Sequence, residues 1–502
     1  MEALDWLVIG VFFLALIGII VWVVRQKQND SADYFLGGRD ATWLAIGASI
    51  FASNIGSEHL IGLAGAGASS GMAMAHWEIQ GWMILILGWV FVPFYTRSMV
   101  YTMPEFLERR YNPQSRTILS VISLVSYVLT KVAVTVYAGG LVFQQVFGIK
   151  ELWGIDFFWI AAIGLVVLTA LYTIFGGMKS VLYTSVLQTP ILLLGSLIIL
   201  VLGFKELGGW DEMMRVCGAV TVNDYGDTMT NLIRSNDDAN FPWLGALIGS
   251  AIIGFWYWCT DQFIVQRVLS GKNEMEARRG TIFGAYLKLL PVFLFLIPGM
   301  IAFALHQKYI GAGGEGFLPM LANGTANADA AFPTLVAKLL PAGVKGLVVC
   351  GILAALMSSL ASLFNSSAML FTIDFYKRFR PETPEKKLVG IGQIATVVIV
   401  ILGILWIPIM RSVGDVLYTY LQDVQSVLAP GIAAAFLLGI CWKRTSAQGG
   451  MWGLIAGMVI GLTRLGAKVY YSNAGEVADS TFKYLFYDMN WLFFCGWMFL
   501  FC

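Results

Sequence analysis

A polar segment interrupts an apolar run near the start of the chain and reads Ala52-Ser53-Asn54-Ile55-Gly56-Ser57-Glu58-His59. The run extends from about Thr42 to Gly71, which is long enough to cross a bilayer as a helix. Polar and ionisable groups at membrane depth persist where they face a protein interior or a watery cavity, and they mark functional sites. The segment therefore predicts a broken membrane helix that carries a binding site.

The composition is that of a membrane protein with many helical spans. Of its 502 residues, 58% are hydrophobic and 13% are charged, and the mean hydropathy is +0.74. Repeated apolar runs of about 18 residues or more can each span the hydrocarbon core as a helix. A net charge of +1 gives no argument for a nucleic-acid partner. The six cysteines and three histidines are scattered and predict neither a catalytic cluster nor a metal site, so we expect no enzyme.

Thirteen apolar runs are predicted as spans, at about 4–24, 42–71, 78–101, 116–147, 153–175, 180–204, 241–266, 277–305, 346–376, 388–410, 414–440, 448–469 and 486–502. With Met1 outside, nineteen Lys and Arg fall on the inner side and nine on the outer side, so the positive-inside rule predicts an outer N-terminus. The first span opens on Glu2 and Asp5 without a basic start, and we expect it to stay as an anchor in the cell or inner membrane. The last span ends at Cys502 with no polar tail, which we interpret as the mark of a shortened chain.

The spans divide into two halves of opposite orientation. We assign residues 1–30 to a leading helix, 31–204 and 241–440 to two repeats of five spans, 205–240 and 306–345 to solvated outer loops, and 441–502 to additional helices. An odd number of spans per repeat inverts the second repeat relative to the first. Such repeats bind substrate near the midplane, at helices broken in corresponding positions. The first helix of the second repeat is indeed interrupted, at Gly254-Phe255-Trp256-Tyr257-Trp258-Cys259-Thr260-Asp261-Gln262.

Small and hydroxyl-bearing residues share one face of the ninth span, at Ala355, Ser358, Ser359 and Ser362. A monovalent cation is bound by several uncharged oxygens, which helix hydroxyls and the carbonyls of a broken helix supply. Ala52 and Ile55 offer such carbonyls. Spacing alone leaves two interpretations open: a cation site, or close helix packing in which serines bond to carbonyls one turn earlier.

Lys288 is the most unusual charge within a span. It lies near the middle of a run of roughly 28 residues, about 18 Å from either end, which is too deep for simple snorkelling. A buried lysine needs a partner, and the alternative to a binding role is a structural pair with Glu58 or Asp261. Lys131, midway along another long span, has the same two interpretations.

Other polar and aromatic residues in the spans suit a polyhydroxyl solute. Glu78, His59, Lys288 and Gln422 supply donors and acceptors, and Trp77, Tyr257, Trp258 and Tyr418 supply flat apolar faces. Sugars need both kinds of surface. The alternatives are a headgroup-level carboxylate for Glu78 and interhelical hydrogen bonding for Gln422.

Together these motifs resemble the sodium/glucose cotransporters of the solute:sodium symporter family. The matching pieces are Gly47-Ala48-Ser49-Ile50-Phe51-Ala52-Ser53-Asn54-Ile55-Gly56-Ser57, Gly62-Leu63-Ala64-Gly65, Trp256-Tyr257-Trp258-Cys259-Thr260-Asp261-Gln262, Tyr286-Leu287-Lys288-Leu289, Met357-Ser358-Ser359-Leu360, Thr372-Ile373-Asp374 and Phe436-Leu437-Leu438-Gly439. They run in collinear order from about Ser31 to Arg464.

The resemblance implies an all-α polytopic membrane protein with the five-plus-five inverted-repeat fold of the leucine-transporter type, one leading helix and additional C-terminal helices. It implies Na+ held by the carbonyls of Ala52, Ile55 and Ala355 and the hydroxyls of Ser358 and Ser359. The solute residues it implies are Asn54, His59, Glu78, Tyr257, Trp258, Lys288 and Gln422. It also implies an outer gate of Leu63, Trp77 and Tyr418, with Tyr257 closing the inner side.

Three departures from the family pattern limit this assignment. Gly254 stands where sugar-transporting relatives often have Thr or Asn, which removes one hydrogen-bonding side chain. Ser185 replaces an aspartate on the cation route, and Thr419 stands where some two-sodium members have an acid. The last two changes argue against a second cation site and predict one Na+ per sugar.

We therefore interpret the chain as a Na+-coupled symporter that imports a glucose- or galactose-like monosaccharide. Its partners are Na+, the solute and membrane lipid; we expect no cofactor beyond the coupling ion, and a monomer is sufficient. The nearest alternative is a symporter for myo-inositol or another polyol or organic solute. A sugar sensor or channel that does not transport is the alternative from a different class.

Overall fold

The computed structural model describes all residues except 27–29, 57, 322–323, 414–416 and 474–478, and at 129–130, 409–413, 417–423 and 472–473 it describes the backbone alone. The described chain is mainly helical. Its main helices, labelled in chain order, are α1 Ala3–Val24, α2 Trp43–Asn54, α3 Ala64–Ser69, α4 Gly71–Ser98, α5 Pro113–Ser126, α6 Ala133–Phe147, α7 Phe157–Leu207, α8 Trp243–Thr260, α9 Gln262–Leu269, α10 Glu274–Gly311, α11 Val344–Phe379, α12 Glu385–Val413, α13 Leu417–Cys441, α14 Ala447–Asn473 and α15 Trp491–Phe501.

Each of the thirteen predicted spans coincides with one or two of these helical segments. Within the described residues, nine helices are long and apolar enough to cross a membrane. The number is smaller than thirteen for two reasons. The helix α7 contains two predicted spans, and two other predicted spans are each divided into two short helices, α2 with α3 and α5 with α6. The last span, α15, is also short.

Gly177 separates the two spans within the 51 residues of α7. Its backbone has φ +53° and ψ −150°, a conformation that residues with a side chain rarely adopt. A Cβ atom there would also overlap the backbone carbonyl of Tyr34. The chain therefore changes direction at this glycine without a connecting loop.

Two helices are interrupted where the sequence predicts breaks. The helix α2 ends at Asn54, Ile55 is extended with φ −76° and ψ 103°, and a π-helical segment Glu58–Leu63 leads into α3. The second break follows α8, where Asp261 is extended with φ −75° and ψ 127° before α9 begins. Both breaks expose backbone groups that a continuous helix would satisfy internally.

Two further helices are locally distorted beside these breaks. In α4 the chain turns tightly at Gln80 and Gly81, and in α10 it does so at residues 288–290, immediately before Pro291. Proline has no amide hydrogen to donate, so the helix hydrogen bonds are interrupted there. Lys288 is the first residue after the regular part of α10.

The two loops at 205–240 and 306–345 each contain a short helix. The first contains the helix Trp210–Gly218, whose Met213 and Cys217 are fully buried and pack against α10. The second contains the helix Ala331–Leu339, with Phe332 and Leu335 buried. A short antiparallel hairpin, Glu151–Leu152 with Ile155–Asp156, connects α6 to α7.

The leading helix is attached to the serine-bearing helix α11. The buried carboxylate of Asp5 accepts hydrogen bonds from the amides of Gly343 and Gly346 at 2.7 and 2.8 Å, where α11 begins. In turn α11 packs along α7, and α2 lies against both α7 and α10. The first break is thus enclosed by the helices that carry the predicted site residues.

Candidate functional site

A pocket whose empty space amounts to about 430 Å³, open solvent included, lies between the two helix breaks. Eight predicted solute or gate residues line it: Asn54, His59, Leu63, Trp77, Glu78, Tyr257, Trp258 and Lys288. The side chains of the remaining two, Gln422 and Tyr418 on α13, lie outside the described residues.

Five other residues, none of them among the predicted solute ligands, line the same cavity: Glu58, Gln80, Ile253, Gly254 and Gln425. A signal was available for two of them. Gln80 follows Glu78 by two residues, and Gln425 lies three residues after Gln422, on the same face of α13. An amide within an apolar helix is itself an indication of a polar interior.

The charged centre of the cavity is the pair formed by Lys288 and Glu78. Their side chains are 4% and 2% exposed, and Lys288 Nζ lies 2.6 Å from Glu78 Oε2. A carboxylate and an ammonium can be buried at such depth only as a hydrogen-bonded pair. Lys288 also follows the last turn of the regular part of α10, where the negative end of the helix dipole favours a cation.

His59 completes this cluster. Its Nε2 atom lies 2.8 Å from Lys288 Nζ and 3.2 Å from Glu78 Oε1. Nε2 can accept from the ammonium or donate to the carboxylate, depending on the tautomer of the ring. Nδ1 is buried and has no partner among the described residues, which leaves this ring nitrogen for a bound solute.

The aromatic side of the cavity is formed by consecutive residues of the second break. The rings of Tyr257 and Trp258 are 4.9 Å apart and nearly perpendicular, and Lys288 Nζ lies 5.5 Å from the Trp258 ring. The Asn54 amide donates to the Tyr257 hydroxyl at 3.0 Å, which connects the two broken helices directly. At the opposite end, Trp77 packs edge-on against Trp491 of α15 at 5.7 Å.

The partners predicted for a structurally paired Lys288, Glu58 and Asp261, are wrong, since neither is bonded to it. Asp261 instead pairs with Lys131, whose Nζ lies 2.6 Å from Asp261 Oδ2. The same carboxylate accepts from the hydroxyl of Tyr127. The two buried lysines therefore have separate acidic partners, one within the cavity and one beside it.

A second, smaller cavity of about 270 Å³ lies on the other side of Tyr257. Glu58, Asn54 and Tyr257 line both cavities, and Lys131, Gly56 and Ser359 line only the second. The half-buried carboxylate of Glu58 has no hydrogen bond or ion pair with any described residue. Glu58 therefore borders both cavities, with Lys288 in the wall of the first and Lys131 in the wall of the second.

The predicted cation residues meet at the first break. The hydroxyl of Ser359 donates to the Ser53 carbonyl at 2.7 Å and lies 3.3 Å from the Ile55 carbonyl oxygen. A Cβ at Gly56 would lie 2.7 Å from this hydroxyl, so glycine is needed for the close approach. The Ile55 carbonyl is among the predicted ligands, whereas the Ser53 carbonyl is not.

The other predicted cation residues lie near Ser359 on α11 and near the end of α2. Ala355 and Ser358 are buried on α11, and the hydroxyl of Ser358 lies 3.2 Å from that of Ser185 on α7. Ala52 lies two residues before the end of α2, where helix carbonyls lack intrahelical donors. Hydroxyl and carbonyl oxygens without a formal charge suit a monovalent cation.

Comparison with known proteins gives one family and a consistent set of relatives. The model of the Sodium:solute symporter family matches residues 34–457. Sodium/myo-inositol cotransporter 2 of Homo sapiens is 38% identical over 479 residues, which cover 93% of this chain and 70% of that protein. Sodium/glucose cotransporter 2 of Rattus norvegicus is also 38% identical, over 512 residues that cover 98% and 75% of the two chains.

Solved structures confirm the predicted fold. A Na+-coupled sialic acid symporter, in a substrate-bound outward-open state, superposes with a TM-score of 0.79 at 22% identity, over 99% of this chain and 95% of that one. MhsT in complex with L-phenylalanine superposes with a TM-score of 0.53 at 13% identity, over 84% of this chain and 98% of that one. The chain has the five-plus-five fold of the leucine-transporter type.

The buried pair predicts a characteristic pattern of stability. Lys288→Met leaves the Glu78 carboxylate buried without its cation, and we expect a loss of about 3–5 kcal/mol. Adding Glu78→Gln removes the uncompensated charge and should restore most of the stability. Thermal unfolding of the purified protein in detergent, followed by intrinsic fluorescence, measures both.

The matched control is Arg215→Met, which breaks an exposed ion pair with Glu212 and should change the unfolding temperature little. A double variant that is as unstable as Lys288→Met alone would contradict the coupling of the two charges.

Proposed function

Since this chain belongs to the sodium:solute symporter family, in which Na+ movement drives solute transport, we propose that its solute is a neutral monosaccharide of the glucose or galactose type. A cyclic polyol such as myo-inositol is the second candidate, because relatives of equal identity carry both names.

We place the protein in the plasma membrane with its N-terminus outside. Residues 31–204 and 241–440 are proposed as the two repeats, with 205–240 and 306–345 as outer loops and 1–30 and 441–502 as the additional helices.

The cavity containing Glu78, Lys288 and His59 is the observation that supports a polyhydroxyl solute. These side chains offer donors and acceptors, and Trp258 offers a flat apolar face beside them. The positive charge of Lys288 is already compensated by Glu78, and Glu58 adds a further negative charge. A solute with a carboxylate would meet net repulsion, whereas neutral hydroxyl groups would not.

We assign solute binding to Asn54, His59, Glu78, Tyr257, Trp258, Lys288 and Gln422. Leu63, Trp77 and Tyr418 form the proposed outer gate, and Tyr257 the inner one. The bond between Asn54 and the Tyr257 hydroxyl supports this inner role, because it holds the ring between the two cavities. Opening toward the inside would require that bond to break.

Na+ binding is assigned to the carbonyls of Ala52, Ile55 and Ala355 and to the hydroxyls of Ser358 and Ser359. An ion at this place would hold α2 against α11 and favour the conformation in which the cavity accepts solute from outside. Coupling requires that Na+ bind this conformation more tightly than the inward one. One charge moving down about 100 mV releases about 2.3 kcal/mol, which is sufficient to drive accumulation.

Uptake into proteoliposomes tests the proposed transport. Labelled glucose or galactose should accumulate above the external concentration when Na+ is high outside, and should only equilibrate when K+ replaces Na+. Competition by glucose, galactose, mannose and myo-inositol against one labelled solute identifies the preferred one. Binding without accumulation would instead indicate a membrane sensor, and a preference for myo-inositol would make the polyol the substrate.

We propose a ratio of one Na+ per solute. Ser185 and Thr419 stand where relatives carry an acid on the cation route or at a second ion, and the hydroxyl of Ser185 is already bonded to the Val181 carbonyl at 2.6 Å. Reversal potentials measured at several Na+ and solute gradients give the ratio. A value of two would contradict the proposal.

The cation residues can be tested separately from the solute residues. Ser359→Ala and Ser358→Ala each remove one oxygen ligand, and a loss of about 1.4–3 kcal/mol would lower Na+ affinity about tenfold to a hundredfold. Solute binding measured without Na+ should change much less. Ser362→Ala is the matched control, because its hydroxyl is already bonded to the Ser358 carbonyl and faces Ser53. An equal loss of Na+ and solute binding would contradict the assignment.

A further inference from the structure

Gln80 presents an unused hydrogen-bonding group within the solute cavity. The residue is 4% exposed, it lines the cavity, and its Nε2 atom is buried without a partner among the described residues. Buried side-chain amides are nearly always hydrogen-bonded, because an unpaired one is costly. An unpaired amide in the wall of a binding cavity therefore indicates a ligand that completes its bonds.

Gly254 on α8 provides the space that the Gln80 side chain uses. A Cβ atom at Gly254 would overlap Gln80 Oε1 and would lie 3.2 Å from its Cδ. The carboxamide can occupy this position only because residue 254 has no side chain. The missing side chain at Gly254 is thus replaced in space by the end of Gln80, which comes from a different helix.

The position of Gln80 relative to the charged centre follows from the distortion of α4. Glu78 and Gln80 are only two residues apart, a spacing that would separate their side chains on a regular helix. The tight turn at Gln80 and Gly81 lets both line the same cavity. A solute that contacts Glu78 is therefore within reach of the carboxamide as well.

We propose that Gln80 binds the solute and determines its specificity, and that Gly254 is the residue that admits it. This inference rests on the proposed function and deepens it. A carboxamide both donates and accepts, so it is complementary to one hydroxyl, or to two adjacent hydroxyls, on a ring. The ligand class is a neutral ring that carries such hydroxyl groups.

The test combines variants of this pair with derivatives of the solute. Gln80→Leu keeps most of the volume but removes the amide, and it should weaken binding of the parent solute about tenfold or more at saturating Na+. Each monodeoxy derivative of the solute is then measured with both proteins. One derivative, the one that lacks the hydroxyl bound by Gln80, should bind wild type and Gln80→Leu with nearly equal affinity.

The role of Gly254 is tested in the same assay. Gly254→Thr should weaken binding of the parent solute because the new side chain displaces the carboxamide. In a protein that already carries Gln80→Ala, the same substitution should lower the solute affinity little further. Gln393→Leu is the matched control: it removes a half-buried amide bonded to the Ile174 carbonyl, outside the cavity, and should leave solute affinity unchanged.

The outcomes separate this inference from the function on which it rests. If wild-type protein accumulates no sugar or polyol under a Na+ gradient, the proposed function fails and the inference with it. If wild type accumulates the solute but Gln80→Leu weakens all derivatives by the same factor, Gln80 is structural and only the inference fails. Unchanged affinity of Gln80→Leu for the parent solute would also overturn the inference. As a control, the Na+ affinity of each variant is measured to show that the ion site is intact.

Discussion

The hydroxyl of Ser359 lies against the backbone carbonyls of Ser53 and Ile55, and the broken helix depends on this contact. In the interior of a membrane protein, a carbonyl without a partner is expensive, and an interrupted helix is tolerated only where other groups satisfy it. Gly56 allows the hydroxyl to approach. The break that gives the protein its cavity is therefore maintained by a contact with a helix some 300 residues further along the chain.

The ion pair of Glu78 and Lys288 has the corresponding role for the cavity between the two breaks. Attraction between opposite charges is strong where water is excluded, and it offsets the cost of removing both from water only when the geometry is close. Here the pair is also in contact with His59, which joins α4, α10 and the first break at one point. The cavity is thus polar while its central charges remain compensated.

The fold and the two helix breaks beside the candidate site could be predicted from the sequence, whereas the pairing of the side chains could not. Apolar runs and their interruptions are local patterns, so the spans, both breaks and the serine face of α11 could be identified. Partner choice depends on how helices pack: Lys288 and His59 are 229 residues apart, and Lys131 and Asp261 are 130 apart. Gly254 illustrates the difference. The sequence shows that this position has no side chain, but only the structure shows that the side chain of Gln80 fills the space.

The hydrogen bonds of Asp5 have a consequence for how the chain is assembled during synthesis. This carboxylate reaches amides that lie 338 and 341 residues later in the sequence. The ribosome therefore makes most of the protein before the first helix can complete its buried bonds. Closing so long a loop carries an entropic cost that neighbouring helices reduce by packing first. The leading helix is thus translated long before the amides that bond to its carboxylate exist.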